Sequence, residues 1–231
     1  MTGTFPDLVN RARSLVAGGR RAVLGIAGPP GAGKTTLAES LLAALAPRPP
    51  AGLAAGSWVA HVPMDGFHLA DAELDRLGLR ELKGAPDTFD GWGYAALLRR
   101  LLDDRDEMIY APGFERVLEQ PIAGAIGVPR QARLILTEGN YLLLGDGRWA
   151  GLREVFSEVW YTDLDPAERL RRLVARHERF GKPPAAARAW ATGTDERNAT
   201  LIAGTRDRAD LVVPSALLCS LGADPAHGCL S

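Results

Sequence analysis

The sequence predicts an α/β fold, a doubly wound parallel sheet, and three observations carry that prediction. Short apolar runs alternate with longer segments of helical periodicity. The first run opens onto a glycine-rich turn, Gly28-Pro29-Pro30-Gly31, and leads straight into a helical segment. Two later runs end in an acidic residue followed by glycine, Asp65-Gly66 and Glu138-Gly139. In an open parallel sheet that edge, the carboxyl ends of the strands, is where ligands bind.

The elements follow in chain order. Asp7 to Val16 reads as a short amphipathic helix with Leu8, Ala12, Leu15 and Val16 on one face. Ala22 to Ala27 is an apolar run that suits a buried parallel strand. Thr35 to Leu45 continues as a helix until Pro47, Pro49 and Pro50 stop it, and 47–56 is a Pro/Ala/Gly-rich loop. Ser57 to Val62 is a second strand, Tyr94 to Leu102 a helix, and 107–131, with Pro112, Pro121 and Pro129, a hairpin or extended flap. Leu134 to Thr137 and Val159 to Thr162 are further buried strands. Pro166 to Arg179 is a basic helix broken by Gly181-Lys182-Pro183-Pro184, and a second helix is expected over Ala186 to Ala203. Leu211 to Val213 is the last strand.

Composition narrows the class. The chain has 231 residues, 46% of them apolar, enough for one domain with a sizeable core. Its net charge is −1, and only Lys34, Lys83 and Lys182 among its 27 basic residues are lysine, so bulk charge does not point to a nucleic-acid partner. No apolar run reaches the length of a membrane span and no signal peptide is visible. Cys219 and Cys229 lack metal-type spacing and read as reduced cysteines of a cytoplasmic protein, not a disulfide framework.

The chemistry is concentrated in Gly28-Pro29-Pro30-Gly31-Ala32-Gly33-Lys34-Thr35, a complete G-x-x-x-x-G-K-[ST] phosphate-binding loop with Thr36 directly behind it. Gly31 and Gly33 let successive N–H groups turn inward on phosphate oxygens, and the helix that follows places its positive end beneath them. Lys34 is suited to the β- and γ-phosphates of ATP, and the Thr35 hydroxyl to Mg²⁺. No Asp follows the Leu134–Leu136 strand as a second metal-binding position; Glu138 stands there. Asp65 and Glu138 can divide the two remaining tasks of phosphoryl transfer, one accepting the proton of an attacking hydroxyl and one holding Mg²⁺ or its waters.

Arg169, Arg172, Arg176 and Arg179 recur on one face of the basic helix, with Arg171 off it. Guanidinium groups match phosphate oxygens, and Gly181 offers a hinge, so 166–190 reads as a lid with Arg172 and Arg176 its candidate catalytic cations. His68 is a candidate for substrate contact, as is Arg116 in the flap. Trp92, Trp149, Trp160 and Trp190 read as core or lid packing.

The phosphate loop, Met64-Asp65-Gly66-Phe67-His68, Lys83-Gly84-Ala85-Pro86-Asp87-Thr88-Phe89-Asp90, Tyr110-x-Pro112-x-Phe114-x-Arg116 and Glu138-Gly139-Asn140 together resemble the uridine kinase, phosphoribulokinase and bacterial pantothenate kinase superfamily. Within it the chain looks most like a nucleoside/nucleotide kinase-like, fructose-transport-kinase branch, and Asp195-Glu196-x-Asn198 and Ala209 to Val213 share that likeness. The resemblance covers roughly 20–213, and the chain is expected to be a single P-loop kinase domain over 1–231. The resemblance implies that Asp65 is the base for the acceptor hydroxyl. It places Lys83, Asp87, Tyr110, Phe114, Arg116 and Asn140 at the acceptor, with 107–131 as an acceptor-side flap. The expected partner is a small-molecule hydroxyl compound, with a homodimer left open and neither nucleic acid nor membrane involved. A nucleotide-driven switch or assembly factor, and a nucleoside monophosphate kinase gripping its acceptor through Arg116, are the alternatives.

Overall fold

The computed structural model describes residues 3–221. Helix α1 (Phe5–Ser14) begins at Thr4, whose hydroxyl accepts from the Asp7 amide while the Asp7 carboxylate accepts from the Thr4 amide. Strand β1 (Ala22–Ala27) is buried along its whole length. The chain continues through α2 (Lys34–Leu45), β2 (Val59–His61), α3 (Asp71–Leu77) and α4 (Gly91–Asp103). The hairpin strands β3 (Met108–Glu115) and β4 (Gln120–Pro129) come next, followed by β5 (Leu134–Gly139) and β6 (Glu158–Asp163). Helices α5 (Pro166–Arg179), α6 (Pro184–Thr192) and α7 (Thr194–Ala203), strand β7 (Leu211–Pro214) and helix α8 (Ser215–Leu221) complete the described chain.

Five parallel strands form the sheet in the order β2-β5-β1-β6-β7. Strand β1 lies at the centre, with Ala22 opposite Leu134 and Ala27 opposite Gly139. Side-chain alternation along it feeds two cores. Leu24 and Ile26 join Leu37, Leu41 and Leu45 of α2, Leu8 of α1 and Leu217 of α8. Val23 and Ala27 join Tyr94 and Leu98 of α4, Ile109 and Val128 of the hairpin, and the 141–156 segment. With helices on both faces, the phosphate loop and the ends of β2 and β5 open along one edge, where the strand order reverses.

Several expectations shift in detail. The second strand spans Val59–His61 rather than 57–62: Val62 still donates to the Leu136 carbonyl at 2.8 Å, and Pro63 then ends the pairing. The helix expected over 186–203 is two helices, because Gly193 departs from helical geometry (φ −100°, ψ −91°) between them. The 107–131 flap is an antiparallel hairpin with an irregularity between Ala111 and Gly113. Of the tryptophans expected to pack in core or lid, Trp149 and Trp160 are buried, whereas Trp92 is 65% exposed beneath the Arg148 guanidinium, so it does not pack in the core. Cys219 is disulfide-bonded, which overturns the expectation of reduced cysteines; Cys229 lies outside the described residues. Among the described residues no helix is long and apolar enough to cross a membrane.

Candidate active site

The phosphate loop is shaped by what its glycines touch. A Cβ on Gly28 would lie 2.1 Å from the Thr162 hydroxyl, so β6 closes against the loop's first residue. Gly31 and Gly33 take φ of 82° and 84°, the left-handed turn that aims backbone N–H groups into the loop. Pro29 and Ala32 are buried beneath it, while Pro30, Gly31, Gly33, Lys34, Thr35 and Thr36 line a cleft of about 1020 Å³. Lys34 Nζ donates to the Pro29 carbonyl at 3.0 Å and to Asn140 Oδ1 at 2.7 Å. Asn140, expected at the acceptor, is therefore also tied to the phosphate loop's lysine.

Glu138 ends β5 and accepts from the Thr35 hydroxyl at 3.0 Å. It is 4% exposed, and burial, reinforced by the Asp65 charge and opposed by Lys34, pushes its carboxyl up to about 7. Burial likewise brings the Lys34 ammonium down to about 8, with Glu138 and Asp65 resisting the change. A hydroxyl and a buried carboxylate are hard oxygen donors, and a carboxylate with so little compensating charge suits a cation; the pair fits Mg²⁺. Among the described residues no cluster of three acidic, His or Cys groups forms a cage from protein alone.

The raised carboxyl carries a sign for stability. Between the ordinary value of 4.5 and about 7, the folded chain keeps a proton on Glu138 that the unfolded chain has lost. Raising the pH across that window therefore costs the ligand-free protein stability. Glu138→Gln cannot ionise and should lose that dependence, so the melting temperature of the wild type should fall relative to the variant between pH 5 and pH 8. A difference that stays constant with pH would show that Glu138 titrates normally.

Asp65 sits on a 3₁₀ turn, Met64–Phe67, at the end of β2. A Cβ on Gly66 would lie 2.2 Å from the Pro112 carbonyl, so this turn is seated directly on the hairpin. Arg116, just past β3, donates to Asp65 Oδ2 at 3.1 Å. His68 Nδ1 lies 2.8 Å from the Asp65 carbonyl, and its ring packs between Phe89 (3.9 Å between centroids) and Phe114 (4.8 Å). Burial lowers the His68 pKa and keeps the ring neutral. Lys83 donates to Asp71 Oδ1 at 2.7 Å and to the Glu119 carbonyl at 2.6 Å. The cleft thus gathers His68, Lys83, Phe114 and Arg116 opposite the phosphate loop.

Two residues expected at the acceptor lie elsewhere. Tyr110 is 63% exposed: Ile109 and Ala111 on either side point into the core, and alternation turns Tyr110 outward. The Asp87 side chain is 76% exposed and pairs with Arg148 at 3.6 Å, because the buried Thr88 beside it fixes the turn.

Helix α5 forms the opposite wall. Asp165 caps it, accepting from the Ala167 and Glu168 amides, and Pro166 opens it. Arg172 and Arg176 line the cleft, as do Arg171 and Arg179. Glu168, 1% exposed, accepts from Arg171 (2.8 Å) and Arg172 (2.6 Å) and holds both at the helix root. Arg176 is open to solvent yet deep in a concavity, where lost hydration and the Arg116 charge lower its pKa. Arg169 departs from the expected basic face. It is 4% exposed, donates to the Pro30 carbonyl at 3.3 Å and pairs with Glu196, supporting the loop from behind. Farther out, His177 on α5 meets Asp195 on α7 at 2.7 Å, and Asn198 donates to the Gly84 carbonyl at 3.2 Å.

Comparison with known proteins places this arrangement. No protein-family model matches the chain. The Schizosaccharomyces pombe protein named "Putative uridine kinase C227.14" is 34% identical over 179 residues, 75% of this chain and 74% of the relative. The Aspergillus versicolor "ATP-dependent kinase-like protein notR'" is 32% identical over 160 residues, 65% of this chain and 93% of the relative. The crystal structure of a "putative fructose transport system kinase" from Silicibacter sp. TM1040 superposes with a TM-score of 0.81 at 35% identity, over 91% of this chain and 99% of that one. With a complete phosphate loop, the β2-β5-β1-β6-β7 sheet and these relatives in agreement, the chain belongs to the uridine kinase, phosphoribulokinase and bacterial pantothenate kinase superfamily of ATP-dependent P-loop kinases.

Proposed function

We propose that the protein transfers the γ-phosphoryl group of ATP to a hydroxyl of a small molecule: a sugar, a nucleoside or a pantothenate-like alcohol. The observation that supports this most is the placement of Asp65. It comes from a different strand end than the phosphate loop, faces the same cleft, and acts electrostatically on both Lys34 and Glu138. A nucleotide switch has no use for a carboxylate with its own aromatic and basic pocket on the far side of the phosphates.

The chain's groups take separate parts. The loop amides and Lys34 hold the β- and γ-phosphates. Thr35 and Glu138 would hold Mg²⁺, which when bound neutralises phosphate charge. Asp65 orients the acceptor hydroxyl and receives its proton. The acceptor oxygen bonds to the γ-phosphorus as the bond from phosphorus to the β–γ bridging oxygen breaks, and ADP leaves with that oxygen. Arg176 reaches the transferring group from α5, where it can meet the charge that develops during transfer.

ADP release measured with ATP, Mg²⁺ and a panel of alcohols tests the reading. Turnover should depend on one class of acceptor and yield a phosphomonoester; turnover indifferent to every alcohol but stimulated by a protein would favour the switch. Arg176→Ala should lower kcat about 10- to 100-fold with ATP affinity changed far less, since its interaction strengthens in the transition state. Equal losses in both would make Arg176 a ground-state ATP contact.

A further inference from the structure

The root of helix α5 rests on the phosphate loop itself. A Cβ on Gly31 would lie 2.9 Å from the Arg169 carbonyl and 3.3 Å from Leu173 Cβ, so loop and helix touch where only a glycine fits. The buried residues of the helix are Glu168, Arg169 and Leu173, and none lies beyond Leu173. Glu168 is the one whose burial needs a reason. A carboxylate in a first turn gains from the positive end of the helix without leaving solvent. The Glu168 side chain is 2% exposed, a place a carboxylate takes when cations surround it. Arg171 donates to it through Nε at 2.9 Å and Nη2 at 2.8 Å, and Arg172 through Nε at 2.6 Å. The Arg171 bonds, and then those from Arg172, lower its pKa and keep it an anion. With its Nε held there, Arg172 places Nη1 3.8 Å from where a Cβ on Gly33 would stand, at the glycine just before Lys34. Arg176, one turn farther on, lies past the packed root and is exposed.

We propose that Glu168 is a positioning residue for nucleotide binding: it pins Arg172 against the phosphate loop as a fixed grip on the α- and β-phosphates, and so sets it apart from Arg176, which acts on the transferring group. The loop amides around Gly33 face those two phosphates. A guanidinium already held beside them loses little freedom when nucleotide binds, and its planar donors suit phosphate oxygens. The α- and β-phosphates stay behind when the γ-phosphoryl leaves. The grip is therefore as strong on ADP as on ATP, and it contributes affinity rather than rate. Helical spacing puts Arg172 and Arg176 on one face; the buried carboxylate beneath the first of them gives the two different tasks. The inference rests on the kinase reading for the part Arg176 plays in transfer, and it deepens that reading by naming the arginine that holds nucleotide and the carboxylate that places it.

Isothermal titration calorimetry with ADP and with β,γ-imido-ATP, each with Mg²⁺, tests this with no acceptor present. Arg172→Ala should weaken both ligands alike, about 10- to 100-fold, the weight of a charge-assisted contact. Glu168→Gln keeps the size of the side chain and drops the charge that pins Arg172. It should weaken both ligands about three- to ten-fold, the cost of ordering one long side chain at binding. On the Arg172→Ala background Glu168→Gln should change neither affinity further, because the two residues act through one contact; a merely structural role for Glu168 would add its full loss there. Arg172→Lys keeps a charge but has no Nε for Glu168 to hold, so it should recover little of the affinity. Arg172 is 21% exposed, so changes at it leave the core intact and decide the matter even where Glu168→Gln fails to fold. Arg176→Ala should lose far less ADP affinity than Arg172→Ala. Wild-type ADP affinity in Arg172→Ala, Arg172→Lys or a folded Glu168→Gln, a loss confined to β,γ-imido-ATP, or a Glu168→Gln loss undiminished on the Arg172→Ala background would each overturn the proposal. Failure of the kinase reading looks different: these affinities stand, and no alcohol in the panel drives ADP release.

Discussion

Replacing Lys34 with alanine should lower turnover by about 10²- to 10³-fold and weaken ATP binding with it, the scale seen when one preorganised donor is removed from developing charge. Lys34 is 8% exposed and is held by the Pro29 carbonyl and Asn140, so it is positioned before nucleotide arrives. Its ammonium, brought down to about 8 by burial, gains an anionic partner when the phosphates bind. Both ground and transition states use that contact, so affinity and turnover fall together. The fold should persist, because burying this cation costs hydration that alanine does not require. Fluorescence titration of a labelled ATP, steady-state turnover and a melting curve separate the three effects. Wild-type turnover in the variant would remove the phosphate loop from the reaction.

Asp65→Asn is expected to cut turnover with the true acceptor by about 10²- to 10⁴-fold, the usual weight of a general base. The lower end fits a loose transition state in which the proton moves late. The amide keeps the size of the carboxylate, so the 3₁₀ turn seated on the hairpin should hold. ATP affinity should change far less than turnover, because the hydrogen bond Asp65 makes is to Arg116 and not to the phosphate loop, which it reaches only through its charge. Equal losses of ATP affinity and turnover would make Asp65 a Mg²⁺ group and move the base to Glu138. Undiminished turnover would take Asp65 out of the reaction.

Most of the sheet was legible because its strands are buried on both sides and read as uninterrupted apolar runs; Ala22–Ala27 matches to the residue. The basic helix Pro166–Arg179 matches as well, since its cap, its opening proline and the break after it are local signals. Helix α3 escaped notice although Asp71 and Glu73 in its first turn and Gly78 at its end, in the left-handed conformation, carry the expected signature. The break at Gly193 depends on a single residue's ψ, and helical periodicity runs through it unmarked.

The site divides the same way. Motif spacing suffices for residues that act through the backbone, such as the loop glycines. It does not say which side chains of a motif turn inward: Asp87 and Tyr110 belong to segments that border the cleft, yet neighbouring buried residues point them away. The His177–Asp195 and Asn198–Gly84 contacts join segments far apart in sequence, and no local pattern could have announced them.

The division of the cleft between chain segments has a consequence for how such an enzyme can change. Groups around the phosphates come from 28–36, 138–140 and α5, whereas Asp65, His68, Lys83, Phe114 and Arg116 all lie in the stretch between β2 and β5. That stretch enters and leaves the sheet through one neighbouring pair of strands, β2 and β5, joined from Val59 opposite Leu134 to His61 opposite Leu136. A relative's segment spliced in at these two strands would bring a different acceptor preference while leaving the nucleotide machinery untouched, so new substrates can arise by exchange of one contiguous block.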